Sequence, residues 1–163
     1  KRKKPVGSSW RMDETYIKVK GVWMYLYRAV DSAGYTIDFL LRKNRDASAA
    51  KAFFGKAIKH NGSPQKVTID KSGSNSCALS SLNKSLAKEK QIEIRQIKYL
   101  NNIVEQDHRF IKKRTKPMLG FKSFNSAKIT ITGIENIRMI QKGQIIGGNN
   151  KLSVFENFAM LMA

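Results

Sequence analysis

The 163-residue chain predicts an α/β domain built on a mixed five-stranded sheet: a three-strand antiparallel meander plus two parallel strands, with helices on both faces. Two observations carry that expectation. Three segments between Trp10 and Leu41 alternate polar and apolar residues, are rich in β-branched and aromatic side chains, and are joined by very short turns. After Asp46 the apolar period changes to that of a helix, and helical and strand patterns then alternate, which implies right-handed crossovers and parallel pairing. An apolar content of 41% with 11 Gly and 3 Pro supports a folded domain rather than a disordered chain.

Each element follows from its own residues. Met12, Thr15, Tyr16, Ile17 and Val19 mark the first strand, Trp10 to Val19, which Lys20-Gly21 turns into Val22 to Val30. Asp31-Ser32-Ala33-Gly34 leads into a third strand, Tyr35 to Leu41. Asp46 is placed to cap a helix whose inner face is Ala50, Phe53, Phe54, Ala57 and Ile58, ended by Asn61-Gly62-Ser63-Pro64. Val67-Thr68-Ile69-Asp70 is a short buried strand with an acid at its end. A helix from about Asn75 to Lys88, with Ala78, Leu79, Leu82 and Leu86 inward, leads to a fifth strand, Glu93 to Ile97.

The next helix opens at an Asn cap after Tyr99-Leu100, and its apolar side is Ile103, Phe110 and Ile111, with or without Val104. Between Ser123 and Gln141, Ile129-Thr130-Ile131-Thr132 has strand chemistry. Ala127, Ile131, Ile134, Arg138 and Gln141 sit at helical spacing, and Ile137 and Ile140 extend the stripe, so helix is the expectation. A Gly-rich connection to Asn150 precedes a short last helix expected to bury Val154, Phe155, Phe158, Ala159 and Met162.

Lys plus Arg number 31 against 12 Asp plus Glu, a net charge of +19, for which nucleic acid is the natural partner. The only cysteine, Cys77, excludes an internal disulfide, and two histidines cannot build a zinc finger. No apolar run reaches the length of a membrane span and no export signal follows the basic start, which predicts a cytoplasmic protein without a membrane partner. Residues 1–8 are expected to be a basic arm, either a disordered linker end or a DNA contact, and residues 9–163 the folded core. The chain starts at Lys1 without a methionine and is read as a domain from which something N-terminal has been removed.

Three carboxylates stand out in this plan. Asp13 lies in a central strand among apolar neighbours, where an acid is costly unless paired or metal-bound. Asp70 sits at the carboxyl end of a strand, where open α/β sheets place their ligands. Glu105 lies on the helix after the fifth strand, with His108, Arg109 and Lys112 at i+3, i+4 and i+7. Clustered acids repel unless they share a cation, and oxygen ligands without Cys or His clusters suit Mg²⁺ or Mn²⁺. Each acid has a plainer reading. Asp13 could face solvent on an edge strand with Glu14 pointing inward, Asp70 could cap the following helix, and Glu105 could pair with Arg109 on the surface.

Five strings then carry a resemblance: 12–21 (MDETYIKVKG), 25–31 (YLYRAVD), 41–46 (LRKNRD), 98–102 (KYLNN) and 105–109 (EQDHR). Thirty-four residues, 71–104, separate Asp70 from Glu105. These features resemble the DDE transposases of bacterial insertion sequences, in particular the insertion-sequence-six group, over about Ser9 to Met162.

The resemblance implies a ribonuclease H-like core of the retroviral-integrase superfamily. Asp13, Asp70 and Glu105 would be catalytic and would ligate two Mg²⁺ or Mn²⁺ ions. His108 and Arg109 match the family's motif beyond the Glu, as does Lys112; with Lys113, Arg114 and Lys116 they are the candidate DNA-binding residues, although the run could be generic solvated charge and His108 a buried packing residue. The implied chemistry is metal-dependent cleavage of a transposon end, followed by in-line attack of the freed 3′-hydroxyl on target DNA, with no covalent protein–DNA intermediate. The implied assembly is a homodimer or larger on DNA in the bacterial nucleoid, and the family's N-terminal helix-turn-helix domain is absent from this stretch. Two rivals share the acids or the charge: a ribonuclease H-like nuclease without strand transfer, and an inactive DNA-binding remnant.

Overall fold

The computed structural model describes residues 3–71, 73–97 and 102–162. Strands β1 (Ser9–Val19) and β2 (Val22–Asp31) form an unbroken antiparallel pair from Trp10↔Asp31 to Val19↔Val22. Lys20 and Gly21 at the hairpin tip both have positive φ, 49° and 78°, the backbone hand that matches strand twist in a two-residue turn. Strand β3 (Thr36–Arg42) pairs antiparallel with β2. Its turn is held by Asp31, whose Oδ1 accepts from the Ala33 and Tyr35 amides at 3.0 and 2.8 Å.

Helix α1 (Ala47–Asn61) starts where Asp46 accepts the Ala49 amide at 2.7 Å and stops at Gly62, which takes φ 83°. The parallel strands β4 (Lys66–Ile69) and β5 (Glu93–Gln96) complete the sheet in the order β3-β2-β1-β4-β5, so β1 is central as expected. Helices α2 (Gly73–Asn83), α3 (Asn102–Thr115), α4 (Phe124–Gln141) and α5 (Val154–Met162) make up the rest. The expected Asn cap of α3 and most of the 98–102 string lie outside the described residues.

Strand alternation splits the core into two layers. Trp10, Met12, Tyr27 and Ala29 pack on α1 and α2 through Phe53, Phe54 and Leu79. Ile17, Val19 and Leu26 face the other way, onto Ile111 of α3 and Ile131 of α4. Helix α4 resolves the 123–141 ambiguity. Ser123 and Ser126 form a reciprocal cap at its start, and Ile131, Ile134 and Ile140 are buried while Ile129 and Ile137 face solvent.

Two expectations need correction. The helix expected to reach Lys88 ends at Asn83, because the Asn83 amide group bonds the Ile92 backbone in both directions at 2.8 Å and pins the chain for entry into β5. Leu82, in the last turn of α2, and Leu86, in the turn that follows, still pack on the core. The last helix does not bury its apolar face: Phe155 and Met162 are 80% and 79% exposed, and Val154, Phe158 and Ala159 are exposed too. It is fixed instead by buried Asn157, which accepts from the Asn149 amide and donates to the Asn149 carbonyl, both at 2.8 Å. At the other end, Lys3 and Lys4 lie on the domain, Lys3 bridging to Ile145 and donating to the Ile37 carbonyl at 2.6 Å.

Candidate active site

Parallel pairing of β1 with β4 sets the site. The register runs Ser9↔Lys66 to Arg11↔Thr68, and continuing it two residues places Asp13 beside Asp70, where β4 has just ended. Asp13, Glu14 and Asp70 each offer a carboxylate oxygen, and these lie within 4.8 Å of one another. Adjacent strand residues point to opposite faces, so the two strand acids approach Asp70 from different sides. Asp13 belongs to the α3 layer and Glu14 to the layer of α1 and α2.

The Glu14 side chain is deeply buried, 4% exposed. Oε1 accepts from Asn75 of α2 at 3.0 Å, and Oε2 lies 3.5 Å from Arg45, too far for a strong hydrogen bond. Arg45 also stands 3.6 Å from Asp70 and so bridges two of the acids. Burial pushes Asp13 up to about 6, and the charges of Glu14, Asp70 and Glu105 add to that against a backbone hydrogen bond. Burial likewise raises Glu14, opposed mainly by Arg45. Three oxygen donors with one shared arginine leave negative charge that a hard divalent cation would neutralise, so the residues present fit one.

Glu105 is exposed on the first turn of α3 and lies outside the tight group, although its charge reaches Asp13. Its helix is anchored from below. Arg28, wholly buried on β2, takes Glu135 of α4 through two bonds of 2.6 and 2.9 Å and lies 2.8 Å from Asp107 of α3. Asp107 also holds Arg138 at 3.0 Å and Lys142. Burial works against charge at both Arg28 and Asp107; Glu135 and then Asp107 keep Arg28 protonated, and Arg28 and then Lys142 keep Asp107 ionised.

Of the candidate DNA-binding residues, Arg109, Lys112, Lys113 and Lys116 are exposed. Arg114 is half-buried with its guanidinium 3.5 Å from the Phe110 ring centroid. His108 is 5% exposed and lies beneath this row rather than in it. Neither ring nitrogen has a hydrogen-bond partner among the described residues, and burial, then the charges of Arg28 and Lys112, pushes its pKa down to about 3. Sequence reasoning offers Glu14 only as an inward-pointing alternative to Asp13, and it misses Arg45 and Asn75 at the acids and the network of Arg28, Asp107 and Glu135. Four of these stand inside the strings quoted above, but their partners are long-range.

A five-stranded mixed sheet in this order, flanked by helices, is the ribonuclease H-like class of core. Solved relatives of that fold include the HTLV-2 integrase catalytic core in complex with magnesium, with a TM-score of 0.62, 17% identity, and 91% of this chain and 94% of that one covered. The BIV integrase catalytic core is similar, with a TM-score of 0.60, 17% identity and 96% of each chain covered. At such identity the likeness concerns the fold alone.

The particular family follows from closer matches. A family model described as a DDE domain matches residues 7–144, and the chain belongs to that family. It is 45% identical over 142 residues to the transposase for insertion sequence-like element IS431mec of Staphylococcus aureus, with 87% of this chain covered. The same values hold for the transposase of insertion sequence element IS257 in transposon Tn4003 of that species. The chain spans 62% of the length of these relatives. No helix among the described residues is long and apolar enough to cross a membrane.

Proposed function

We propose that this chain is the catalytic core of an insertion-sequence transposase, which cuts transposon ends and joins them to target DNA by divalent-metal-dependent in-line phosphoryl transfer. The observation that carries the reading is the side-by-side placement of Asp13 and Asp70, with the charge of Glu105 felt at the same point. Bound there, two Mg²⁺ or Mn²⁺ ions would supply Lewis acidity and neutralise charge on a reacting phosphodiester. Asp13 and Asp70 would hold them, and Glu105 would complete the ligand set from α3. Arg45 would keep Glu14 and Asp70 from repelling each other before a cation arrives.

Arg109, Lys112, Lys113 and Lys116, with Arg114 braced on Phe110, would take phosphates beside the acids; His108 would support the row from below. Pairing two ends requires a dimer or larger assembly in the full protein, which would act on bacterial DNA in the nucleoid.

The test is strand joining with a pre-cut end in Mn²⁺ by the full-length protein. Asp13→Asn, Asp70→Asn and Glu105→Gln should each abolish joining while leaving DNA binding intact. Joining at the wild-type rate by any of the three would remove that residue from the site. Cleavage without joining by the unmodified protein would make it a nuclease.

A further inference from the structure

Beyond Arg11, the β4 side of strand β1 has no strand partner among the described residues, because β4 pairs with it only over Ser9–Arg11. That edge is taken up again at Lys18–Lys20 by Phe121, whose carbonyl accepts the Lys20 amide at 2.7 Å. Between this edge and the end of α3 runs a groove of about 750 Å³, with Tyr16, Lys18 and Trp23 on one wall and Lys112 and Lys116 on the other. Its wall aromatics are not core residues: Trp23 is 58% and Tyr16 48% exposed, their rings 6.3 Å apart at 78°. The Lys18 ammonium hangs 5.6 Å from the Trp23 ring centre.

Ile17, which also lines the groove, lies four residues along the strand from Asp13 on the same face, about 13 Å, and Lys112 lies two helical turns from Glu105, about 10 Å. The groove therefore starts about three nucleotides from the acids at duplex spacing. Duplex DNA offers phosphates but keeps its bases stacked inside, and it has no use for an open indole. A strand whose bases are free would meet lysines for its phosphates and aromatic faces for its bases.

We propose that this groove holds single-stranded DNA leaving the acidic site, with a base stacked on Trp23 and its neighbour on Tyr16. The proposal rests on the transposase reading for where the strand comes from, and not for whether the groove binds it.

Of the two tryptophans, Trp10 is 1% exposed and buried in the core, so quenching of tryptophan emission by a stacking base reports on Trp23 alone. The experiment titrates the chain in EDTA with oligothymidylate of about 12 nucleotides, within the footprints of single-strand grooves, and with a duplex of equal length. Oligothymidylate should quench the emission. Trp23→Ala should weaken its binding about tenfold or more, Trp23→Phe should restore most of that loss, and duplex binding should not change. Wild-type binding of oligothymidylate by Trp23→Ala, or an equal loss for duplex, overturns the groove and leaves the transposase reading standing. A dimer that Trp23→Ala converts to monomer in sedimentation would make the groove a contact between copies of the chain and also overturns it. Failure of the chain to bind either nucleic acid overturns both readings.

Discussion

Asp13 is protonated more readily in the folded chain than in the unfolded one, its pKa lying near 6 rather than 3.8. A raised carboxylate favours the fold only while the proton is on; as pH rises through about 6 the fold must carry a charge that the unfolded chain carries more easily. Asp13→Asn should therefore be more stable than the wild type at neutral pH in EDTA, by on the order of 1–3 kcal/mol. The difference should close below about pH 3, where the acid is protonated in both states. Urea denaturation at several pH values measures this, and saturating Mn²⁺ should reverse the order by stabilising only the wild type. The placement of Asp13 in the central strand and of Asp70 just past the end of its neighbour was legible, and an acid in such a place is costly without a purpose. Glu14 was not legible, since alternation assigns it to the opposite face, and only the arrival of Arg45 and Asn75 from distant segments shows why it can be buried.

At the scale of elements, α3 matters most, because it carries Glu105 and is bound to the sheet through charges rather than apolar contact alone. Arg28 joins β2, α3 and α4 by meeting Asp107 and Glu135 in a place without solvent. Removing Arg28 leaves Glu135 buried without this cation and Asp107 with Arg138 and Lys142 alone, so Arg28→Met should cost about 3–5 kcal/mol in urea denaturation. Joining activity should fall at temperatures where the variant is still folded, because Glu105 loses its footing. The apolar periods of α1 and α4 predicted both helices, since their inner residues, Ile137 excepted, do face the core. The same logic failed for α5, where the apolar stripe is exposed among the described residues and buried Asn157 ties the helix to Asn149. It overran α2, because a side-chain bond to the chain at Ile92 ends the helix, and no local pattern encodes that partner.

The whole molecule combines a charge of +19 with an acid cluster at one end of its central strand. Phosphate contacts from exposed lysines carry no sequence information, so duplex binding should be weak, on the order of 10⁻⁴–10⁻⁶ M at physiological salt, and should fall steeply as salt rises. Fluorescence anisotropy at two salt concentrations should show terminal-repeat and scrambled DNA competing about equally; a hundredfold preference for the repeat at high salt would mean that the core itself reads sequence. Strand order was legible because short turns force the meander and the later helices force parallel crossovers. The closeness of the acids was not, because it depends on a register that only β1 and β4 together define. The central claim is that these carboxylates hold divalent cations, and anomalous diffraction from crystals of the chain soaked in Mn²⁺ tests it directly. A manganese peak is expected between the carboxylates of Asp13 and Asp70, lost in Asp13→Asn. Ordered Asp13 and Asp70 side chains with no peak between them at saturating Mn²⁺ would contradict it.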